Sequence, residues 1–450
     1  MAKPPTRQAN GARPVRPPKA AAYRGANPRR LALDVLLRVS ERGASLDETL
    51  AGHPRYNALS ERDRGFARVM LATTLRRLSQ IDAVLARFAT KMPEQARTLA
   101  ALRLGACQLI YLGTPSHAAV SESVGLIDSA RPWDQRFVNA VLRKIARERE
   151  QLADEPVEAA PAELSDWLRT ALLAAYGAAD AQALAAVHSQ TPPLDLTPLR
   201  DGATWAAELG ADLLPNGTLR LAEAGGRIEQ LAGFKQGAWI VQDVAASLPV
   251  RLLQRVRGQR VLDLCAAPGG KTCQLAAQGA RVMAIEQAAK RAELIHDNLR
   301  RLRLPGEVKV MDALAYQPET AYSHILLDAP CTATGTIRRH PDIAWGKRAQ
   351  DVRPLTVLQD KLLAHAFDLL SPGGALVYAT CSLLPAEGEE RVAALLKARP
   401  DAKLVAIKPD EAGGIPLRID ADGCARTFPA DLADRGGMDG FFMARIGKSA

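Results

Sequence analysis

Between about residues 28 and 150 the apolar positions recur with a helical period. Ile81, Val84, Leu85 and Phe88 fall at i, i+3, i+4 and i+7, and Val138, Val141, Leu142 and Ile145 repeat the spacing. Pro54, Pro93, Pro115 and Pro132 stand between such stretches, where a missing backbone N–H breaks no helix. The pattern predicts an all-α bundle of about 120 residues. From 151 to 240 the signal thins. An Ala- and Glu-rich stretch, Glu155 to Glu163, leads into a mixed region with turn signals at Pro192-Pro193 and Asn216-Gly217. This region reads as a small α+β connector. From 241 to 450 short apolar runs at Arg260–Leu264, Arg281–Ile285, Val308–Met311, His324–Leu327 and Ala375–Tyr378 alternate with helical stretches such as Lys290–Leu302 and Pro354–Leu370. Such alternation predicts a parallel, doubly wound α/β sheet of the Rossmann-like type, with ligands outside the carboxyl ends of its strands. The chain is read as multidomain.

Composition narrows the function. A hydrophobic share of 47% and a charged share of 24% over 450 residues exclude a largely disordered chain and a membrane bundle. No uninterrupted apolar stretch approaches the ~18–20 residues that cross a bilayer. The 59 basic and 49 acidic residues leave a net charge of +10, which points to a polyanionic partner. Lys3, Arg7, Arg13, Arg16, Lys19, Arg24, Arg29 and Arg30 all precede the first acidic residue, Asp34. Pro4, Pro5, Pro14, Pro17, Pro18 and Pro28 oppose a helix there, so 1–27 reads as a basic disordered tail, an arm for phosphates. Those prolines also argue against a mitochondrial presequence, and no apolar core follows Met1 as a secretory signal would require. The six cysteines, Cys107, Cys265, Cys273, Cys331, Cys381 and Cys424, form no CxxC pair, and the seven histidines are scattered. No metal site and no disulfide framework are expected, and a cytoplasmic monomer fits best. Each thiol is then either a core filler or a nucleophile.

The chemistry gathers at the strand ends. After the first strand of the last domain comes the loop Cys265-Ala266-Ala267-Pro268-Gly269-Gly270-Lys271-Thr272. Gly-Gly-Lys-Thr resembles the tail of a phosphate-binding Walker loop, but that motif demands glycine where Cys265 stands. The three-glycine dinucleotide fingerprint is absent as well. Two adjacent glycines still allow close approach of a ligand to the backbone at a helix start. Glu286 ends the second strand, where a carboxylate can take both ribose hydroxyls; Asp312 ends the third and could meet an adenine amino group; Asp328 ends the fourth. Any one of these acids could be a cap or turn residue, but three at successive strand ends point to nucleoside recognition. Without a triphosphate loop, that means S-adenosylmethionine. The fourth strand runs into Asp328-Ala329-Pro330-Cys331 and the fifth into Tyr378-Ala379-Thr380-Cys381-Ser382. Neighbouring strands lie about 4.8 Å apart, which would bring the two thiols to one pocket.

These residues resemble the RNA 5-methylcytosine methyltransferases with paired catalytic cysteines. The Cys265–Lys271 loop, Asp328–Cys331, Arg338-Arg339-His340-Pro341-Asp342, Thr380-Cys381-Ser382 and Gly437-Met438-Asp439-Gly440-Phe441-Phe442 carry the likeness across the last 210 residues. In the helical region, Leu102–Tyr111, His117–Val124 and Phe137–Arg143 resemble the RNA-binding NusB fold. The combined architecture is similar to that of the 16S ribosomal RNA cytosine-C5 methyltransferases, which carry a small RNA-contact subdomain where the connector lies. Thr332, Thr334 and Gly388 depart from the family pattern, and Leu194–Leu199 lacks its arginine-asparagine pair.

The resemblance implies that Cys381 adds to carbon 6 of an unpaired or flipped cytosine, that Asp328 bonds the base near N3, and that Cys331 serves product release. It implies S-adenosylmethionine on the Cys265–Lys271 loop and RNA, 16S ribosomal RNA foremost, as substrate. A transfer RNA substrate, a DNA cytosine methyltransferase attacking through Cys331, and a non-catalytic RNA-binding assembly factor are the rival readings.

Overall fold

The computed structural model of the protein describes residues 27–154, 164–223 and 226–449, so the basic tail and the Glu155–Glu163 stretch lie outside the described residues. Seven helices build the first domain: α1 (Pro28–Arg42), α2 (Leu46–Ala51), α3 (Glu61–Arg76), α4 (Leu78–Phe88), α5 (Ala96–Ile110), α6 (Ser116–Val124) and α7 (Pro132–Asp154). Their starts follow from local chemistry. Asn27 caps α1 by accepting from the Arg29 and Arg30 amides, Ser45 caps α2 and Ser60 caps α3. The helix α5 runs through the centre, and Leu102, Leu104 and Cys107 on it pack with Leu36, Ile81, Leu85, Val138, Leu142 and Ile145. The periodic residues read from the sequence are thus core, apart from the half-buried Phe88.

Next, α8 (Asp166–His188) is interrupted at Gly177, which has a φ of 78°. It packs Leu168, Leu172 and Leu184 beside Leu383, Leu384 and Phe428 of the last domain. The connector continues through β1 (Leu194–Pro198), α9 (Gly202–Leu209), β2 (Asp212–Leu213), β3 (Leu219–Leu221) and β4 (Trp239–Val241). These strands form an antiparallel sheet in the order β2-β3-β1-β4. Residue 240 lies inside β4, so this unit runs directly into the next.

The last domain comprises α10 (Leu248–Leu253), β5 (Arg260–Leu264), α11 (Gly270–Ala277), β6 (Arg281–Glu286), α12 (Ala289–Leu302), β7 (Glu307–Val310), β8 (Tyr322–Asp328), α13 (Ile343–Gly346), α14 (Val352–Asp368), β9 (Leu370–Thr380), α15 (Glu389–Ala398), β10 (Ala402–Leu404), β11 (Arg418–Ile419), β12 (Ala425–Thr427) and β13 (Phe441–Lys448). The sheet order is β11-β12-β13-β9-β8-β5-β6-β7, with β10 on β13. The five strands expected from the sequence are the parallel ones. The strand β9 starts five residues earlier than its apolar run, because pairing of Leu370 with Tyr322 extends the ladder across a bulge. The antiparallel β13 had no alternating signature to betray it. Its Phe441–Ile446 stretch is buried throughout and does not alternate, and its one charged residue, Arg445, is paired with Glu411.

The helical domain is docked on the last domain beside the segment that follows Cys331. The Leu46 amide donates to Asp342 Oδ2 at 3.0 Å, Arg76 Nη2 to the Arg338 carbonyl at 3.1 Å, and Trp345 Nε1 to the Leu75 carbonyl at 2.8 Å. Gly43 ends α1 at a φ of 63°, and a Cβ there would run into the Gly346 carbonyl. A Gly43→Val substitution is therefore expected to destabilise the protein by about 1–3 kcal/mol, through backbone strain and the forced separation of the seam. Urea unfolding measures this; an unchanged midpoint and slope would show that the turn is not packed as described.

Candidate active site

The parallel pairing of β8 with β9 sets Asp328 opposite Ala379, so the loops leaving both strands start side by side. Cys331 and Cys381, fifty residues apart in sequence, come together with Sγ atoms 3.5 Å apart. The Ala329 amide donates to the Ala379 carbonyl at 2.9 Å and the Gly335 amide to the Cys381 carbonyl at 2.9 Å. Gly335 lies so close to the Gly440 carbonyl that a side chain there would collide with it. Both thiols are half-buried and line a cavity of about 520 Å³.

The same cavity is lined by Cys265, Ala266, Ala267, Pro268, Gly270, Lys271 and Asp328, so the structure brings together most of the residues singled out in the sequence. Lys271 Nζ donates to Asp328 Oδ2 at 2.7 Å. Gly269, at a φ of 97°, turns the loop into α11 and packs on Ile295, outside the lining. Beneath the loop, Thr272 Oγ1 donates to the buried Asp263, whose carboxyl is pushed up to about 7 chiefly by burial. Glu286 is buried behind the loop, where it accepts from the Ala267 amide at 3.2 Å and the Ala288 amide at 3.0 Å. Asp312 is exposed and is not among the lining residues; its carboxylate caps a short turn by accepting from the Leu314 amide at 3.0 Å.

The six cysteines separate by environment. Burial pushes Cys107, Cys273 and Cys424 up to about 12, and all three are core fillers. Cys265 faces the cavity but is also pushed up to about 12, by burial first and then by Asp328 and Glu286. Cys331 is held well above the ordinary thiol value by its hydrogen bond with Cys381, by burial and by the nearby Glu387 carboxylate. Cations stand on the Cys381 side. Burial opposes the charge of Lys271, but Asp328 outweighs it, and the Cys381 sulfur adds to that effect. Arg339 behaves likewise: Asp439, which is fully buried, more than offsets its burial, and Cys381 again contributes in the same sense.

Several residues of the site were given no role from the sequence, although Arg338, Arg339, His340 and Asp439 lie in the segments that carry the family likeness. Arg338 is buried between Asp243 and Asp439, and Arg339 donates through Nε to both oxygens of Asp439 at 3.0 and 2.8 Å. Gly43 and Ser45 of the helical domain line the cavity together with His340 and Lys347. Glu387 is fully buried and reaches both cysteine loops. Its position just after Thr380-Cys381-Ser382 was visible in the sequence; its partners were not.

Residues 250–447 match the family 16S rRNA methyltransferase RsmB/F, and residues 26–147 match the NusB family. Over 448 residues the chain is 37% identical to ribosomal RNA small subunit methyltransferase B of Pseudomonas putida, covering 94% of this chain and 99% of that relative. The protein of the same name from Klebsiella pneumoniae is 37% identical over 397 residues, or 84% of this chain and 91% of the relative. The solved structure of PH0851 shares the fold, with a TM-score of 0.71 at 20% identity over 94% of this chain and 99% of its own. With paired thiols at adjacent strand ends and likeness along nearly its full length, the chain belongs to the ribosomal RNA small subunit methyltransferase B family, a methyltransferase domain behind a NusB-family helical domain.

Proposed function

We propose that the protein methylates carbon 5 of a cytosine in 16S ribosomal RNA, with S-adenosylmethionine as methyl donor and a covalent adduct on Cys381. The observation that carries this reading is the 3.5 Å approach of Cys331 and Cys381 beside the Lys271–Asp328 pair. Carbon 5 of cytosine is a weak nucleophile. Addition of the Cys381 thiolate to carbon 6 forms an S–C bond and moves electron density to carbon 5 and N3. Lys271 brings a cation toward that developing charge, and Asp328 would accept from the N4 amino group and from N3 once N3 has taken a proton. Lys271 and Arg339 stand near Cys381, while the bond with Cys381, burial and the Glu387 charge hold Cys331 above the ordinary thiol value. By the family resemblance Cys381 is the attacker, and Cys331 as a thiolate takes the C5 proton or assists the base that takes it. Loss of that proton returns the electron pair, breaks the S–C6 bond and frees Cys381.

The residues present fit the methyl donor. Cys265 to Pro268 and Gly270 line the cavity at the start of α11, braced by Glu286 and Asp263, with the Gln242 side chain facing Gly270. Bound there, S-adenosylmethionine would supply the electrophilic methyl group that carbon 5 takes up. Glu286 and Asp312 remain the residues we assign to its ribose and adenine. RNA contact is supported by α7, whose Arg143, Lys144 and Arg147 are exposed and have no ion-pair partner among the described residues.

Mapping 5-methylcytosine in RNA from cells with and without the protein tests the reading. One 16S cytosine losing its methyl group supports it, whereas loss confined to transfer RNA would redirect the substrate and no loss would reject it. Lys271→Met should lower methyl transfer to RNA in vitro by about two orders of magnitude, since it deprives Asp328 and Cys381 of their shared cation. A rate within threefold of the parent would remove Lys271 from the chemistry.

A further inference from the structure

One buried carboxylate ties the two cysteine loops together. Glu387 Oε1 accepts from the Thr332 amide at 2.9 Å and from Gln359 Nε2 at 3.1 Å. Its Oε2 accepts from the Thr332 hydroxyl at 2.5 Å and from the Ser382 hydroxyl at 2.6 Å. Thr332 directly follows Cys331, and Ser382 directly follows Cys381. The Glu387 backbone carbonyl is held as well, by Tyr378 Oη at 2.9 Å and Thr380 Oγ1 at 3.3 Å. The carboxylate is therefore fixed to β9 at one end and grips both loops at the other. A fully buried carboxylate with four donors is a rigid clamp, because releasing any one arm leaves a buried charge short of a partner.

We propose that Glu387 is a positioning residue that sets the separation of the Cys331 and Cys381 sulfurs. It touches neither sulfur through a hydrogen bond; it acts by locking the residue after each. The two threonines that depart from the family pattern belong to this assembly. Thr332 supplies two of the four donors, and Thr334 Oγ1 accepts from the Leu383 amide at 3.0 Å and meets Ser382 Oγ at 3.2 Å. The catalytic meaning of the separation rests on the two-thiol reading above, but the separation itself is measurable without it.

Diamide supplies the direct test on the full-length protein, with neither RNA nor cofactor present. The oxidant takes two electrons and two protons from the thiol pair, becomes the hydrazine, and leaves a Cys331–Cys381 disulfide. One thiolate first adds to the azo bond and the other then displaces the hydrazine; the rate of that second step reports how often the sulfurs meet. Glu387→Gln removes the charge and keeps the clamp, since its amide can donate to the two hydroxyls while its carbonyl still accepts from the Thr332 amide and Gln359. Glu387→Ala removes both. Because loss of the charge alone would make Cys331 ionise more readily, the alanine variant is compared with glutamine rather than with the parent. We expect cross-linking at least tenfold slower in Glu387→Ala than in Glu387→Gln, with kcat for RNA methylation falling about a hundredfold in the alanine variant and less than tenfold in the glutamine one, at unchanged KM for RNA. Equal cross-linking rates in the two variants would overturn the proposal. Should Glu387→Ala fail to fold, Thr332→Val deletes only the hydroxyl arm and must slow cross-linking at least threefold; no change there would also overturn it. If the parent makes no 5-methylcytosine yet the cross-linking differences hold, the functional reading fails and the clamp stands.

Discussion

Cys381→Ala is expected to abolish methyl transfer while leaving cofactor binding intact. Without that sulfur the thiol assigned to add to carbon 6 and raise the electron density on carbon 5 is gone. The neighbouring Cys331 is a poor substitute, because the bond with Cys381, burial and the Glu387 charge all favour its protonated form. Removal of a covalent nucleophile lowers rates by roughly four orders of magnitude or more, about 5.5 kcal/mol of barrier. The cofactor loop should not notice the change. Its shape is held by the Thr272–Asp263 and Ala267–Glu286 bonds, and neither passes through Cys381. The measurement is tritium transfer from labelled S-adenosylmethionine to RNA, alongside calorimetric titration with S-adenosylhomocysteine. Residual transfer above a hundredth of the parent rate would mean that another group attacks. If Cys331→Ala were instead the inactive variant, the attacking sulfur would be Cys331, as in the DNA-type mechanism.

Cys331→Ala should have the opposite phenotype and trap the protein on its RNA. In that variant Cys381 can still add to carbon 6, and methylation can still follow, but removal of the C5 proton is impaired and the S–C6 bond persists. A covalent protein–RNA species should then survive denaturing electrophoresis and disappear when Cys381 is also replaced. The amount should approach one adduct per active protein at saturating RNA and cofactor. Cys331 is 3.5 Å from the attacking sulfur, close enough to serve the same ring without any large movement. Absence of the adduct in the single variant would deny the two thiols their separate tasks.

The helical and α/β domains were legible in the chain because their signals are local. Helical period over 28–150 and the alternation of apolar runs with helices after 241 reflect side-chain direction along a single element, which needs no distant partner. The strand ends were equally readable, and with them Cys265, Lys271, Asp328, Cys331 and Cys381, which the fold gathers around one cavity. The assignments of Glu286 and Asp312 rest on the same positional logic, whereas the local partners of each carboxylate come from the fold. Glu286 is turned to two backbone amides, and Asp312 to the turn that follows it. The connector sheet was legible only as a mixed region, since strands of two to five residues carry too little period to register.

Local sequence set the helices of the first domain, the five parallel strands of the last, and the reactive groups at those strand ends. Those outcomes depend on neighbours within a few residues. Tertiary closure alone decided the clamp of Glu387 on Thr332 and Ser382, the burial of Asp439 under Arg339, and the seam between Leu46 and Asp342, 296 positions apart. Such contacts join segments whose spacing along the chain carries no information about their approach. They form only once the sheet order has put β8, β9 and β13 side by side.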